Sequence, residues 1–270
     1  MDRREFVSAA IAAGGSLVAG AASAASPAPA QPGRPLQYFE LRHYQLRRGP
    51  QTQVLDDYFS QAAIPAMHRA GTGPVGVFNV MIGPRSPALT VLIVHPTLES
   101  FATLPAKLAA DADYQRAAAA YLAAPATNPA YVRIDSSLLR AFPGMPALEP
   151  PFGGGEAGRR SRIFELRTYE SHSETAGRKK IDMFDNAEIG LFRRAGMHPV
   201  FFGETIAGAS MPNLTYMLVY EDMTAHDRQW AAFSSDPDWR TLSTTPGNTD
   251  PEIVANITNT YLRPAAYSEI

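Results

Sequence analysis

The hydrophobic and polar positions of this chain follow one pattern twice. Residues 36–46 and 162–171 alternate in side-chain character, which predicts a strand at the start of each half. A segment with apolar side chains at helical spacing follows in each half and stops at a glycine, the usual helix terminator. A hairpin, a second helix and a last strand complete each half. The predicted first helices span 52–70 and 177–195, the hairpins 74–82 with 89–95 and 199–206 with 214–220, and the last strands 131–140 and 252–263.

The two halves are an internal repeat. The sequence FELRHY at residues 39–44 returns as FELRTY at residues 164–169, an offset of 125. The offset holds without a gap as far as Asp113 and Asp238, and it slips to 123 only at the last strand. This period is far longer than the 20 to 50 residues of solenoid repeats, so it indicates two whole domains in tandem.

The order of elements predicts the fold class. A β-α-β-β-α-β unit is ferredoxin-like, an α+β arrangement of four antiparallel strands with two helices on one face. The other face of each sheet must also be buried, so we expect the two sheets to pack against each other as an intramolecular dimeric α/β barrel. The predicted domains cover residues 36–142 and 162–270, and a linker rich in Pro and Gly covers residues 143–161.

The first 35 residues have the layout of an export signal followed by a spacer. Arg3 and Arg4 precede a short apolar stretch and a small-residue cleavage site at Ala22 and Ala24, and the paired arginines resemble a twin-arginine signal. We therefore expect a signal peptide at residues 1–24, a Pro-rich spacer at residues 25–35, and a periplasmic or secreted protein. The apolar stretch is too short to span a bilayer, so we expect no stable membrane insertion after cleavage.

Composition narrows the chemistry. With 24 Lys and Arg against 26 Asp and Glu, the formal charge is −2, which argues against nucleic acid as a partner. Zero cysteines exclude disulfides, thiolate nucleophiles and Cys-ligated metals. The six histidines show no metal-ligand spacing, so no metal site is predicted. We predict no cofactor, although binding of haem is left open. Two oligomeric states are also left open, namely a complete monomer and a homodimer formed through exposed strand edges.

Three motifs occur in both halves and together suggest a family. They are the opening Phe-Glu-Leu-Arg-x-Tyr, the Arg-Ala-Gly that closes the first helix, and an Asp-x-Asp element followed by Tyr or Trp. This set resembles the NIPSNAP family of the dimeric α/β-barrel superfamily, over about residues 36–142 and 162–265. The resemblance implies the same barrel. It implies no settled reaction, because the wider superfamily includes cofactor-free monooxygenases, isomerases and haem-handling proteins.

The first strand of each half carries candidate ligand-binding residues. Strand alternation puts Phe and Leu on one face and a Glu, Arg and Tyr on the other. We expect the Phe and Leu to face the helices and the polar set to face the space between the sheets, where it either receives a ligand or forms a self-satisfied polar network. The polar residues are Glu40, Arg42 and Tyr44 in the first copy and Glu165, Arg167 and Tyr169 in the second.

Positions where the two copies differ are the other candidates, because a pseudo-symmetric protein gains an asymmetric site when one copy diverges. His43 corresponds to Thr168, and His95 corresponds to Tyr220. His198 and Glu204 stand where the first copy has glycine and asparagine. Each could serve as a general base or a haem ligand, and each could equally be an ordinary packed or solvated residue.

Three functions fit these residues. The first is binding of a small hydrophobic or aromatic molecule in the barrel, with an Arg and a Tyr at the mouth of an apolar pocket. The second is a cofactor-free monooxygenase or isomerase with a His or Glu as base, which requires a polar constellation in one half that the other lacks. The third is a structural or interaction module without a ligand.

Overall fold

Eight antiparallel strands form a closed barrel in the computed structural model, which describes residues 35–84, 86–151 and 162–270. The strands follow one another around the barrel in the order β1-β3-β2-β8-β5-β7-β6-β4. Each half contributes four neighbouring strands in the ferredoxin-like order, which confirms the predicted fold class. The strands are β1 Tyr38–Gln45, β2 Val75–Ile82, β3 Ala88–His95, β4 Arg133–Ala141, β5 Ile163–Glu170, β6 His198–Ala207, β7 Asn213–Tyr220 and β8 Asn256–Pro264.

The two halves join edge to edge. β2 pairs with β8 and β4 pairs with β6, both antiparallel, so the outer strands of one sheet hydrogen-bond to those of the other. This closure pairs the outer strand edges of the two sheets with each other, so the edges through which a further dimer was considered are already hydrogen-bonded within the described part of the chain. One chain completes the barrel.

The helices cover the outside of the barrel. In each half a π-helical segment, Tyr58–Ala63 or Phe184–Glu188, interrupts the long first helix. The other helices of the first half are α1 Gln51–Asp57, α2 Ile64–Arg69, α3 Leu98–Ala110, α4 Ala112–Ala117 and α5 Ala119–Leu122. Those of the second half are α6 Glu174–Met183, α7 Ile189–Arg194, α8 Met223–Ser235, α9 Pro237–Thr244 and α10 Asp250–Ile253.

The ends of the first helices follow from their terminal residues. The helix predicted from residue 177 begins at Glu174, because the Ser173 side chain accepts a hydrogen bond from the backbone N–H of Ala176 and caps it. Gly71 and Gly196 follow the two helices with φ of +79° and +83°, a left-handed conformation that ends a helix and that glycine adopts without strain.

The barrel interior is apolar through most of its length. Phe39 and Leu41 of β1 and Phe164 and Leu166 of β5 lie inside the barrel. The alternate residues therefore point outward beneath the helices, and the predicted assignment of the two strand faces is wrong. The physical reason is that the closed interior offers no partners for charge, whereas the helices and strand ends supply Tyr, Trp and His side chains to the polar face. The interior cluster comprises Phe39, Leu41, Phe78, Leu92, Val94, Leu139, Ala141, Phe164, Leu166, Val200, Phe201, Met217, Val219, Leu262 and Ile270.

The C-terminal residues close one end of the barrel. The backbone of residues 265–269 runs along β2, with Ala265 donating to Val77 and Glu269 donating to Val75. Ile270 is 2% exposed and packs with the barrel interior. The start of the predicted linker runs along β6 in the same way, with Glu149 donating to Val200. These segments leave the opposite end as the open mouth.

Some predictions fall on parts of the chain that are not described. The predicted signal with Arg3, Arg4, Ala22 and Ala24 lies outside the described residues, as do most of the spacer and residues 152–161 of the linker. Within the described ranges, no helix has the length and apolar character needed to cross a membrane.

Candidate functional site

The open end of the barrel forms a cavity of about 370 Å³, here called the mouth cavity. Leu41 and Leu166 form its floor, above the apolar interior. Its wall is rich in hydroxyl groups, and residues from both repeats contribute to it. The titratable side chains among its described lining residues are His43, Asp135 and Glu170. The hydroxyl-bearing lining residues are Ser137, Thr168, Thr205, Ser210, Thr215, Thr258 and Thr260, together with Ser136, whose hydroxyl donates to Glu40.

Corresponding strands place related hydrogen bonds on opposite sides of the mouth cavity. β1 and β5 stand four strands apart in the eight-stranded barrel, so they face each other across it. On β1, His43 Nδ1 lies 3.1 Å from Thr90 Oγ1. On β5, Thr168 Oγ1 lies 2.8 Å from Thr215 Oγ1. A histidine therefore replaces a threonine at one of two pseudo-symmetric positions.

The neighbouring strands complete this asymmetry. In the β1–β4 register Asp135 stands directly opposite His43, and in the β5–β8 register Thr258 stands directly opposite Thr168. All four residues line the mouth cavity. His43 was predicted from the sequence as a candidate, whereas Asp135 was not. The signal was available, because the slipped offset of 123 at the last strand matches Asp135 with Thr258.

The first-repeat candidates Glu40, Arg42 and His95 lie together beneath the helices. Arg42 donates to both Glu40 oxygens at 2.6 and 2.9 Å, and Ser136 donates to Glu40 at 2.9 Å. His95 Nε2 lies 3.5 Å from Glu40 Oε2, and the His95 side chain is fully buried. Burial alone would raise the pKa of Glu40, but the contacts with His95 and Arg42 outweigh it and lower that pKa to about 2. Glu40 therefore stays ionised in the folded protein at neutral pH.

Tyr44 extends this cluster into the helix layer. It is 1% exposed and packs edge to face against Phe59 and Tyr131. Burial raises the pKa of the Tyr44 hydroxyl, although Arg42 opposes the shift. The sheet-to-helix space of the first repeat is thus filled by aromatic rings, and the Arg and Tyr expected at the mouth of a pocket lie instead within the packed layer.

The second repeat builds a denser cluster around Glu165, which is fully buried. Arg167 donates to Glu165 Oε1 at 2.8 Å, while Tyr220 and Trp230 each donate to Oε2 at 3.0 Å. Arg167 also donates to the Tyr169 hydroxyl at 3.1 Å, and its guanidinium lies 4.6 Å from the centre of the Trp230 ring. The candidates Glu165, Arg167, Tyr169 and Tyr220 thus lie in a single network.

His226, which sequence analysis did not single out, joins this network. Its Nε2 lies 3.5 Å from Glu165 Oε2 and its Nδ1 lies 2.8 Å from Asp227 Oδ1. His226 corresponds to Phe101 at the offset of 125, as Tyr220 corresponds to His95. The same two positions therefore pack together in both repeats, but the histidine stands at a different one of the two positions in each repeat. His95 packs against the Phe101 ring in the first repeat, and Tyr220 packs against the His226 ring in the second.

A buried ion pair beneath the second-repeat helices was also missed. Lys180 Nζ donates to Glu188 Oε1 at 2.8 Å, and the two side chains are 1% and 2% exposed. The Lys180 ammonium lies 5.2 Å from the centre of the Phe184 ring. Burial disfavours the charge, but the Glu188 carboxylate outweighs burial and raises the pKa of Lys180. At the offset of 125 the first repeat has Leu55 and Ala63 in place of Lys180 and Glu188. The charged pair therefore breaks the repeat, which is a difference visible in the sequence.

His198 and Glu204 lie away from the other candidates. His198 is exposed at the start of β6. Glu204 accepts hydrogen bonds from Arg140 at 2.7 Å and Arg178 at 3.0 Å. Glu204 lines a second cavity of about 460 Å³ between α6 and the β6–β7 hairpin, here called the outer cavity, which shares Thr205 and Asn213 with the mouth cavity.

Across residues 35–84, 86–151 and 162–270, no group of three or more His, Asp and Glu side chains is arranged to hold a metal ion.

Comparison with solved structures shows the fold. A proposed monooxygenase from Fusobacterium nucleatum matches with a TM-score of 0.55 and 7% identity over 86% of this chain and 94% of that chain. A second, from Lactobacillus acidophilus, matches with a TM-score of 0.51 and 10% identity over 85% and 94%. A NIPSNAP-like domain protein from Burkholderia xenovorans covers 41% of this chain and 91% of its own, with 21% identity and a TM-score of 0.37.

Comparison of sequences gives the family. No curated protein matches this chain. The NIPSNAP family model matches twice, at residues 39–143 and 164–269, which are the two repeats. The chain therefore belongs to the NIPSNAP family, as a tandem of two family domains closed into one barrel.

Proposed function

We propose that this protein binds a small uncharged molecule in the mouth cavity. The observation that carries the proposal is that the apolar barrel interior ends in an open cavity to which both repeats contribute lining residues. A volume of about 370 Å³ lies at the lower end of the range of small-molecule pockets, so the ligand is a small molecule and not a folded partner.

The lining defines the ligand chemistry. Leu41 and Leu166 present an apolar floor, which suits the ring or alkyl part of a ligand. The threonine and serine hydroxyls above it can donate or accept hydrogen bonds, which suits oxygen substituents. The ligand class is therefore a hydrophobic or aromatic compound with hydroxyl or carbonyl oxygens. An aromatic hydroxyketone has this combination.

Blocking the mouth tests the proposal. Thr258 is half-buried in β8 and lines the mouth cavity, so Thr258→Phe should fill the space above the leucine floor. We expect calorimetric titration to show binding of 4-hydroxyacetophenone to the unmodified protein and a loss of affinity of about tenfold or more in the variant.

The matched control is Thr175→Phe, which makes the same change at an exposed residue that lines the outer cavity. We expect this variant to bind the probe like the unmodified protein, and thermal unfolding would show that both variants fold. Equal affinity of the two variants would place the site elsewhere, and absence of binding by the unmodified protein would reject the proposed ligand class.

We further propose that the protein acts outside the cytoplasm after twin-arginine export. The support is the sequence alone, in Arg3, Arg4 and the small residues up to Ala24. Replacing both arginines by lysine keeps the charge, and we expect it to retain the full-length protein in the cytoplasm of a bacterium with this export route. Fractionation and intact-mass measurement would check this. A processed mass near cleavage after Ala24 in the periplasm of the double variant would contradict the proposal.

A further inference from the structure

We infer that His43 is the acid–base residue of the mouth cavity and that it moves a proton on a neutral carbonyl compound bound there. This inference rests on the proposed binding function and adds the reaction class. Its basis is the placement of one imidazole and one directly opposed carboxylate on one side of a cavity whose other side carries threonines.

The imidazole of His43 is held in one orientation by its neighbour on β3. His43 lies on β1 with its Nδ1 3.1 Å from the hydroxyl of Thr90, which is fully buried on the neighbouring strand β3. A ring held through Nδ1 by a fixed partner has a defined orientation, and in the tautomer whose Nδ1–H donates to Thr90 Oγ1 the other nitrogen, Nε2, is the one that accepts a proton. Proton exchange with a bound molecule then takes place at Nε2.

Two carboxylates share the mouth cavity with His43. On β4, Asp135 stands directly opposite it, at a separation where the Cβ atoms of paired residues are about 5 Å apart. On β5, Glu170 lines the same cavity, and the β3 neighbours Ala88 and Thr90 are uncharged. A carboxylate directly beside an imidazole, as Asp135 is here, favours the protonated form of the ring and makes it a stronger base. The setting suits a group that accepts a proton and then returns it.

The two repeats differ at the positions of this pair. At the positions of His43 and Asp135, the second repeat has Thr168 and Thr258, which also line the mouth cavity. The pseudo-twofold barrel thus places an imidazole and its opposed carboxylate on one side, and threonine hydroxyls together with the Glu170 carboxylate on the other. Hydroxyl donors facing a base are what a developing enolate oxygen requires.

The reaction can be written without a further reactant. Nε2 of His43 removes a proton from the carbon next to the carbonyl, the C–H electron pair forms a carbon–carbon double bond, and the carbonyl π electrons move to oxygen. The enolate oxygen accepts a hydrogen bond from the Thr168 and Thr215 side, whose hydroxyls lie 2.8 Å apart. The imidazolium then returns the proton to the same carbon or to a conjugated one. The net change is an exchange or an isomerisation.

An α-bromoketone tests both binding and basicity. The chain has no cysteine, so 2-bromoacetophenone reacts at histidine without competition from thiols: the imidazole nitrogen attacks the CH₂ carbon and bromide leaves. We expect peptide mass spectrometry to show His43 alkylated at least about ten times faster than the exposed His172 and His198, with a rate that saturates as reagent concentration rises. His43→Gln should abolish this fast phase.

Asp135→Asn and the pH profile distinguish an acid–base role from mere accessibility. Alkylation requires the neutral imidazole, so the pH midpoint of the fast phase reports the pKa of His43. We expect the midpoint to be lower in Asp135→Asn than in the unmodified protein, because that variant removes a carboxylate that stabilises the imidazolium. An unchanged midpoint in a variant with an unchanged melting temperature would overturn the role of the pair.

The remaining outcomes separate this inference from the proposed function. A rate that rises linearly with reagent concentration, whichever histidine reacts, would overturn binding in the mouth cavity. Saturation with alkylation spread evenly over the accessible histidines would leave binding intact and overturn the role of His43. Exchange of the methyl protons of acetophenone in D₂O, followed by NMR, should be catalysed by the unmodified protein and fall at least about tenfold in His43→Gln. Equal exchange in both proteins would also overturn it.

Discussion

Glu188→Ala is expected to lower the free energy of unfolding by about 3–5 kcal/mol. The physical reason is that Lys180 is 1% exposed and would lose the carboxylate that its ammonium contacts at 2.8 Å. The Asp250 carboxylate lies 3.8 Å from the same ammonium but is itself 55% exposed, so it cannot replace a buried partner. A buried charge without a partner is among the most destabilising changes a single substitution can make. Urea denaturation at neutral pH would measure the loss.

The first repeat supplies the matched control. At the corresponding positions it has Leu55 and Ala63, both fully buried in a packed apolar cluster. The double variant Lys180→Leu with Glu188→Ala copies this arrangement. We expect it to recover most of the stability lost in Glu188→Ala, because replacing a whole buried ion pair by apolar groups is often neutral or stabilising. If the double variant were no more stable than the single variant, desolvation of the lysine would not be the cause of the loss.

Glu40→Gln is expected to remove about 3 kcal/mol of stability at neutral pH and to flatten its acid dependence. The pKa of Glu40 is about 2 in the folded protein against an ordinary value of 4.5. A carboxyl whose pKa is lower in the folded state contributes its full stability above the unfolded value. That contribution is lost as pH falls from about 4.5 to about 2. Chemical denaturation across this range should give a shallower decline in the variant than in the unmodified protein.

An exposed ion pair provides the control for this second prediction. Glu149 and Arg193 meet at 2.7 Å, but both side chains are 45% exposed. Solvent-exposed pairs contribute at most about 1 kcal/mol, so Glu149→Gln should change stability little and leave the acid dependence unaltered. Equal losses in Glu40→Gln and Glu149→Gln would show that burial beside Arg42 and His95 gives Glu40 no special role.

The sequence predicted the architecture because its signals were local and came twice. Alternation at residues 39–44 and 164–169 marks strands, and Gly71 and Gly196 end helices through their left-handed backbone. The repeat at an offset of 125 showed that these elements form two ferredoxin-like units. Each unit has a sheet with one face left uncovered by helices, and burying both of these faces predicts a barrel. The structure confirms each of these steps.

The candidate site was predicted only in part. His43 was found because it breaks the repeat, and Glu40, Arg42 and His95 were found as separate signals that the fold brings together. Asp135 was missed because its pairing with His43 depends on the β1–β4 register. Lys180 and Glu188 were missed because a helical spacing does not reveal which polar positions face the sheet.

Local sequence thus determined the elements, their order and the duplication, since propensity, capping and period are properties of short segments. Only the tertiary structure decided which face of each strand lies inside the barrel, because a strand with two buried faces carries the same alternation whichever face the helices cover. It also decided where the cavity lies. Pairing of β2 with β8 and of β4 with β6 closes the barrel, so Phe39 and Phe164 fill its interior and His43, Asp135 and Thr168 meet at its open mouth.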